Sequence, residues 1–342
     1  MNPDERFMQR ALELAVLGRG AVSPNPLVGC VLVHEGRLIG EGWHQRYGEA
    51  HAEVNAVRSV TDPARLAEAT AYVTLEPCSH HGKTPPCADL LIKHRLRRVV
   101  VCNDDPNPLV AGRGLAKLRA AGIDVTTGVL ASQGRVLNRR FFTFMEQRRP
   151  YVILKWAETA DGYLAGPGGE PVQISDRLSQ QLVHRWRSEE DAILVGTNTA
   201  RRDNPRLNVR LWAGRDPLRL VLDRRGTLPA DLHLFDGQVP TRRYTERADL
   251  PDAPGLTNVR LDPAADLFPQ LLEDLYECRV QSVLVEGGTQ LLQSIIDAGT
   301  YDEIRRFRSP KRLGQGLRAP ILAGTPITRE RLLTDELEEF SV

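Results

Sequence analysis

The sequence has 342 residues, of which 41% are hydrophobic and 26% charged, a composition typical of a globular protein with two or three domains. Its 45 Lys and Arg residues nearly balance 44 Asp and Glu residues, and the net charge of +1 excludes a uniformly basic protein that coats nucleic acid. No apolar run approaches the roughly 18 residues of a membrane span, and the first residues lack a secretion-signal pattern. We therefore expect a cytoplasmic protein without a nucleic-acid or membrane partner.

The first half of the sequence alternates between helical and strand patterns. In chain order, the predicted elements are helix 3–17, strands 27–34 and 37–40, helix 51–60, strand 71–75, helix 88–94, strand 98–102, helix 115–121, strand 123–126 and helix 132–146. Strands that alternate with short helices predict an α/β sandwich whose later strands pair in parallel.

The polar stretch 147–150 ends in a proline and precedes a new strand, and we place a domain boundary there, between domains 1–146 and 147–342. The second domain has its own α/β pattern. Its predicted elements are strands 151–156, 191–195, 218–223, 257–261, 281–285 and 301–307, with helices 176–187, 263–276 and 289–298. The segment between Asp223 and Asn258 is rich in Pro, Gly and Arg, and we expect long loops in it.

Two segments of the first half carry residues suited to metal chemistry. His51 and Glu53 stand at a predicted helix start, and Cys78 and Cys87 follow a predicted strand. One imidazole and two thiolates are the ligands of a catalytic zinc site, which keeps a fourth position for water and lowers the pKa of that water. Glu53 then suits a proton shuttle better than a ligand. Zinc-dependent nucleobase deaminases carry this signature, H-x-E followed by P-C-x-x-C, so we predict one zinc ion per chain.

The motif departs from the generic signature in two ways. Residues two apart in a helix interior point about 200° apart, so His51 and Glu53 must lie in the first turn to act together. Eight residues rather than two separate Cys78 from Cys87, so the intervening loop must fold back. A structural zinc site, closed by one of the two histidines after Ser79, is the alternative interpretation.

With its longer loop, the motif resembles that of the bifunctional riboflavin-biosynthesis deaminase/reductase family. The similarity extends over the segments 23–30, 51–53, 75–87 and 105–114. It implies a cytidine-deaminase-like α/β/α sandwich that deaminates 2,5-diamino-6-ribosylamino-4(3H)-pyrimidinone 5′-phosphate, a small phosphorylated pyrimidine. The substrate-facing residues that the resemblance implies are Asn25, His44, His80 and Lys83. A turn residue between two prolines is the competing interpretation for Asn25, and a solvated surface side chain is that for Lys83.

The second half contains a different cue for a bound phosphate. An apolar strand, 280–285, runs into Glu286-Gly287-Gly288 and then into a predicted helix. Two glycines in such a turn let an anion approach the backbone N–H groups. A second strand, 192–195, ends at Gly196. A sheet of this kind can hold a dinucleotide across the carboxyl ends of its strands.

This half is similar to the reductase domain of the same family. The similarity implies a dihydrofolate-reductase-like α/β fold that uses NADPH to reduce the ribose to a ribityl chain, in a homo-oligomer of two or more copies. The cofactor contacts that it implies are Ala157, Thr199, Asp203, Gly287 and Gly288. The substrate contacts that it implies are Arg187, Leu207, Arg210 and Glu286. Surface salt bridging is the competing interpretation for the two arginines.

Several positions depart from the family pattern. Pro171 and Gln173 stand where the family often has a substrate-facing hydroxyl and a cofactor-stacking ring, and Arg224 stands where a small residue is frequent after Asp223. The sequence stops at Val342, so we expect the last strand of the sheet to be missing or differently built. Two other functions stay open: a deaminase of another base, and a single-activity deaminase whose second half is a non-catalytic nucleotide-binding or dimerisation module.

Overall fold

The computed structural model describes residues 2–79, 85–108 and 110–341, and the chain divides into two units, Met1–Arg148 and Arg149–Val342. A five-stranded sheet forms the centre of the first unit. Its strands are β1 (Gly29–His34), β2 (Arg37–Trp43), β3 (Thr70–Leu75), β4 (Arg98–Asn103) and β5 (Asp124–Thr127). Their spatial order is β2-β1-β3-β4-β5. The first three strands pair antiparallel, whereas β3, β4 and β5 pair in parallel, as the sequence predicts.

Helices cover both faces of this sheet. They are α1 (Pro3–Val16), α2 (Ala52–Arg58), α3 (Cys87–Lys93), α4 (Arg113–Ala120), α5 (Ala131–Leu137) and α6 (Arg139–Gln147). One face packs against α2, α3 and α4 through a core that includes Ala56, Leu91 and Leu118. The other face packs against α1 through Met8 and Val31. The first unit is therefore a three-layer α/β/α sandwich.

A nine-stranded sheet forms the second unit. Its strands are β6 (Tyr151–Thr159), β8 (Ala192–Gly196), β9 (Leu218–Leu222), β10 (Thr241–Thr245), β11 (Leu256–Arg260), β12 (Ser282–Val285), β13 (Glu303–Ser309), β15 (Thr328–Arg331) and β16 (Glu336–Ser341). A small separate ladder joins β7 (Tyr163–Ala165) to β14 (Leu317–Arg318). The large sheet has the order β11-β10-β9-β8-β12-β6-β13-β16-β15. Every pair from β11 to β13 is parallel, and the last two pairs are antiparallel.

Four helices accompany this sheet: α7 (Arg177–Glu189), α8 (Thr197–Asp203), α9 (Leu267–Glu277) and α10 (Thr289–Ala298). Leu271 and Leu292 pack α9 and α10 onto one face, and Val183 packs α7 onto the other. Because β6, β8, β9, β10, β11 and β12 are parallel, their carboxyl ends meet along one side of the sheet, here named the carboxyl edge.

The second unit also corrects several sequence-based expectations. The segment expected to consist of long loops contains β10, and the helix α8 was not predicted at all. The last strand of the sheet, expected to be missing or differently built, is present as β16 and pairs with β13 over six residues. Cys278 is exposed at the end of α9, whereas Cys30 and Cys102 are buried. Within the described ranges, no helix is long and apolar enough to cross a membrane.

Gly42 sets the closest approach between β2 and the helix α2. A Cβ atom at this position would lie 2.4 Å from the backbone nitrogen of Ala56 and 2.7 Å from the carbonyl carbon of Asn55. Both atoms belong to the helix backbone, which cannot rotate away as a side chain would. The absence of a side chain at Gly42 therefore fixes the position of α2 on the sheet.

We predict that Gly42→Ala destabilises the first unit by about 1–3 kcal/mol, the usual cost of overpacking, and that it speeds zinc release because α2 shifts. Thermal unfolding and release of zinc to a chromophoric chelator measure the two effects. Gly36→Ala is the control, since φ is 72° there but no atom lies within 4 Å of the new Cβ. It should cost stability through backbone strain alone and leave zinc release unchanged. Equal zinc release in the two variants would contradict the role of Gly42.

Candidate functional site

Three residues from separate parts of the first unit converge in a candidate metal site. His51 is the N-cap residue of α2, Cys87 begins α3, and Cys78 lies shortly after β3. The Nδ1 atom of His51 lies 3.6 Å from the Sγ of Cys78 and 3.3 Å from the Sγ of Cys87. Ligand atoms about 2.0–2.3 Å from a tetrahedral zinc ion are spaced roughly 3.3–3.8 Å apart. The donor set and its spacing therefore fit zinc.

The structure accounts for both departures from the generic motif. His51 has extended backbone angles (φ −71°, ψ 166°) and precedes the helix, while Glu53 lies in the first helical turn. Residues two apart point in nearly opposite directions only within a helix. Because His51 precedes the helix, its side chain and that of Glu53 can still face the same site. The long loop returns to the site because Cys87 is the first residue of α3, where its backbone N–H donates to the Sγ of Cys78 at 3.3 Å.

Protonation within the site is strongly biased. The hydrogen bond from the Cys87 thiol is the largest influence on Cys78 and, together with His51, lowers the pKa of Cys78 to about 4. Burial, more than any neighbouring charge, raises the pKa of the Glu53 carboxyl. Glu53 is only 3% exposed. Among the described residues, the ligand group contains His51, Cys78 and Cys87 and no carboxylate.

Asn25 and His44 form a pair next to these ligands. The amide Nδ2 of Asn25 lies 3.0 Å from the Nε2 of His44, and the Nδ1 of His44 lies 3.1 Å from the carbonyl oxygen of Ala50. The rings of His44 and His51 meet edge to face, with centroids 5.5 Å apart. Burial is the main cause of the lowered pKa of His44, which favours a neutral ring held in one orientation.

Two further residues predicted to face substrate, His80 and Lys83, lie outside the described residues, and their roles stay predictions.

Glu76 is a buried carboxylate two residues before Cys78, and the sequence motifs did not indicate a role for it. This carboxylate is 4% exposed. Its Oε1 accepts hydrogen bonds from the backbone N–H groups of Gly114 (2.9 Å) and Leu115 (3.3 Å), and its Oε2 accepts from those of Gly112 (2.9 Å) and Asp105 (3.4 Å). Gly114 also packs against the chain next to Cys78, since a Cβ there would lie 2.0 Å from the carbonyl oxygen of Pro77. Glu76 thereby joins the start of α4 to the segment that carries Cys78.

In the second unit, three charged residues form a buried cluster. The Nε and Nη2 atoms of Arg187 each donate to Glu286, at 2.8 Å, as a bidentate pair. Lys155 lies 4.0 Å from the same carboxylate. Burial favours the protonated form of Glu286, but Arg187 and Lys155 outweigh it and lower its pKa to about 2. Burial also lowers the pKa of Lys155. Because the pair is buried, it differs from the surface salt bridge considered as the alternative for Arg187.

The two remaining predicted substrate residues lie near this cluster in different ways. The backbone N–H of Arg210 donates to the Nδ1 of His184 at 3.1 Å, while the side chain of Arg210 is exposed. Asn208 lies between Leu207 and Arg210 in the chain, and its backbone carbonyl accepts a hydrogen bond from Arg187 at 3.2 Å. The side chain of Leu207 is 2% exposed and packs in the core. Any contact between Leu207 and the substrate would therefore be made by its backbone atoms.

Several predicted cofactor residues come together at the carboxyl edge. The backbone N–H of Gly196 donates to the carbonyl oxygen of Gly287 at 2.9 Å. A Cβ at Gly288 would lie 2.9 Å from the Oγ1 of Thr199, so only glycine fits there without a shift. Gly287 has a φ of 111°, which also favours glycine. Gly287, Gly288 and Thr199, here named the phosphate cradle, lie at the start of α10, and the N-terminus of a helix suits the phosphates of a dinucleotide.

The second unit also contains the remaining predicted cofactor residues and two positions that depart from the family pattern. Asp203 is the last residue of α8, the helix that begins beside Gly196. Ala157 lies on β6, opposite Phe307 of β13. Pro171 and Gln173 are exposed ahead of α7, and the side-chain amide of Gln173 donates to the carbonyl oxygen of Ser175.

Comparisons with known proteins agree with both halves of this arrangement. Residues 1–103 match the family model described as the cytidine and deoxycytidylate deaminase zinc-binding region, and residues 150–341 match the RibD C-terminal domain. The folds, the two sites and these matches define a deaminase domain followed by a reductase domain. The chain belongs to the RibD family of bifunctional riboflavin biosynthesis enzymes, with a zinc-binding deaminase domain and an NADPH-dependent reductase domain.

Curated relatives and a solved structure illustrate the extent of the similarity. The riboflavin biosynthesis protein RibD of Aquifex aeolicus is 40% identical over 320 residues, which cover 92% of this chain and 89% of the relative. That of Escherichia coli is 39% identical and covers 92% and 90%. A crystal structure of the deaminase/reductase from Thermotoga maritima superimposes with a TM-score of 0.91 at 38% identity and covers 99% and 98%. The predicted fold class, a cytidine-deaminase-like sandwich followed by an α/β reductase domain, is confirmed.

We predict that Glu76→Gln destabilises the first unit by about 2–4 kcal/mol, because an amide NH₂ would face buried N–H donors that now have a carboxylate oxygen. The urea concentration at which zinc is released to a chelator measures the effect. Glu68→Gln is the matched control, since Glu68 is exposed. An unchanged release midpoint for Glu76→Gln would show that Glu76 does not hold the site together.

Proposed function

We propose that the first unit deaminates 2,5-diamino-6-ribosylamino-4(3H)-pyrimidinone 5′-phosphate and that the second unit reduces the ribose of the product to a ribityl chain with NADPH. The substrate is that of the family to which the chain belongs. The observation that carries the proposal is the convergence of His51, Cys78 and Cys87 with the buried carboxyl of Glu53 beside them. Three ligands with an adjacent proton carrier suit hydrolysis, whereas a purely structural site is normally closed by four.

Glu53 does the proton work in this proposal. Zinc, when bound, lowers the pKa of a water molecule in its fourth position. Glu53 accepts a proton from the water as a C–O bond forms at the ring carbon, and it delivers a proton to the amine as the C–N bond breaks and ammonia leaves. The raised pKa of the buried carboxyl supports this role, because the group must hold the proton between the two transfers.

Asn25 and His44 orient the pyrimidine. His44 is fixed through the carbonyl of Ala50 and through Asn25, and its ring lies against that of His51. A neutral, oriented imidazole and a carboxamide supply donors and acceptors for the edge of a base. Their position next to a zinc ligand supports a place in the base pocket.

The reductase site lies at the carboxyl edge of the second unit. NADPH, when bound, supplies the hydride. The cradle of Gly287 and Gly288 beside Thr199 holds the dinucleotide phosphates, and Arg187 and Glu286 face the substrate. When the C=N bond of the ring-opened ribose is reduced, its carbon takes the hydride and its nitrogen takes one proton. Lys155 is placed to supply it, since its ammonium is buried beside Glu286 and burial lowers its pKa.

Three other expectations stay predictions alongside this proposal: assembly of two or more copies, a cytoplasmic location and the absence of a nucleic-acid partner. The near-neutral net charge of +1 supports the last of these.

We predict that Glu53→Gln keeps zinc and loses deamination. Glutamine preserves size and polarity but cannot carry the proton, so ammonia release should fall by about 10²–10⁴-fold or more. Metal analysis together with ammonia release from the phosphorylated pyrimidine measures both quantities. Cys87→Ser is the contrasting variant, because it removes a ligand and should lose metal and activity together. A loss under about tenfold in Glu53→Gln would place this residue outside the chemistry.

We also predict that the two activities separate by mutation. Asp203→Ala should deaminate normally yet fail to oxidise NADPH, because Asp203 lies on α8 at the carboxyl edge. Glu53→Gln should oxidise NADPH normally when it is given the deaminated intermediate. Absorbance at the NADPH band measures the reduction. If removal of zinc stopped NADPH oxidation on that intermediate, the proposal of two independent sites would be wrong.

A further inference from the structure

Asn138 lies between α5 and α6 and is the N-cap residue of α6, yet its side chain makes no capping hydrogen bond. An asparagine at this position normally accepts from a backbone N–H group of the helix that it starts. Asn138 is also only 4% exposed. Its buried amide is therefore directed to a partner outside the helix.

The partner of this amide is the backbone of Leu27, 111 residues earlier in the chain. The Oδ1 atom of Asn138 accepts from the N–H of Leu27 at 2.8 Å, and its Nδ2 atom donates to the carbonyl oxygen of Leu27 at 2.9 Å. Leu27 precedes β1 by two residues, before the ladder of the sheet begins. The side chain of Asn138 thus pairs with both backbone groups of Leu27, as a neighbouring strand would.

Contacts on both sides of Leu27 join this segment to His44, which belongs to the proposed base pocket. On one side, the Nδ2 atom of Asn25 lies 3.0 Å from the Nε2 atom of His44. On the other, the carbonyl oxygen of Val28 accepts from the backbone N–H of His44 at 2.9 Å. Asn138 holds the chain between these two contacts. It therefore governs where the carboxamide of Asn25 lies.

The metal ligands are held by other parts of the first unit. His51 is carried by α2, and Glu76 supports the segment that contains Cys78. Asn138 also lies beyond residues 1–103, which match the zinc-binding region of cytidine and deoxycytidylate deaminases. A residue outside that region that orients Asn25 suits recognition of a particular base rather than the zinc chemistry.

We propose that Asn138 is a positioning residue of the deaminase site, which holds Leu27 so that the carboxamide of Asn25 meets the edge of the pyrimidine. When the amide of Asn138 is lost, both backbone groups of Leu27 lose their partners, and such a loss is costly in a partly buried segment. The segment then shifts, and Asn25 loses its fixed orientation towards His44. The inference deepens the proposed deaminase function and rests on it.

The test follows ammonia release from the phosphorylated pyrimidine in the full, zinc-loaded chain. Asn138→Leu keeps a branched side chain but has no hydrogen-bonding atoms, so it should raise KM by about 10-fold or more and change kcat less, with zinc retained. Tyr72→Phe is the control, because it removes a hydrogen bond of 2.8 Å between β3 and Asp4 of α1. It should lower the unfolding temperature comparably and leave KM unchanged.

A double-variant cycle separates positioning from a general effect on the fold. If Asn138 acts through Asn25, Asn138→Leu should add less than about twofold to KM in the Asn25→Ala background. Equal factors in the two backgrounds would show that Asn138 supports only the fold, and the inference would be wrong. If Asn138→Leu fails to retain zinc, Asn138→Asp serves in the same cycle, since it keeps an acceptor for the N–H of Leu27 and loses the donor.

Failure of this inference and failure of the proposed function give different results. If the unsubstituted chain binds zinc but releases no ammonia from this substrate, the proposed deaminase function is wrong, and the inference with it. If the unsubstituted chain has this activity and KM is unchanged in both Asn138 variants, the inference alone is wrong.

Discussion

Parallel pairing of strands requires the chain to leave the sheet at a common side each time, and both sites depend on this constraint. In the first unit, β3 leads into the segment with Cys78, and β4 leads into the segment with Asp105. In the second unit, β8 and β12 end beside each other, so Gly196 meets Gly287. Residues far apart in sequence become neighbours because the strands before them are neighbours. Cys78 follows the end of β3 by three residues, and Glu286 follows the end of β12 by one.

In each unit, a buried carboxylate fixes the path of the chain as it leaves a strand. Glu76 accepts four backbone N–H groups after β3, and Asp223 accepts two after β9. Those of Gly114, Leu115 and Leu228 are buried, and each would cost about 1–3 kcal/mol without a partner. Because each carboxylate points inward, the residues just after it are oriented: Cys78 towards the metal site and Arg224 towards solvent. In the first unit, a structural carboxylate thus fixes the chain that carries a candidate metal ligand.

The sequence predicted the metal ligands and most strands, because these signals are local. His51, Cys78 and Cys87 belong to a motif with fixed chemistry, whereas the partners of Glu76 are 29 to 39 residues away and leave no local trace. Two strands that were not foreseen, β10 and β16, are rich in charged residues. β16 has three glutamates in six residues, and Arg306 of β13 neutralises Glu338. β10 carries two arginines that bond to α9 and β11. Because their charges are paired with residues of other strands and helices, these strands can be buried without the hydrophobic alternation by which strands are predicted from sequence.

The position of β12 between β8 and β6 has a consequence for how the second unit is built during synthesis. β6 and β8 are made early, but they do not pair with each other, since β12 separates them and is made some 90 residues after β8. Until Ser282–Val285 has emerged, the nascent chain therefore holds the four paired strands β8 to β11 on one side of the gap and β6 on the other, without either of its neighbours in the sheet. Contacts of such long range slow folding. The first unit, whose β1, β3 and β4 already pair within the first 103 residues, can fold while the second still waits for its central strand.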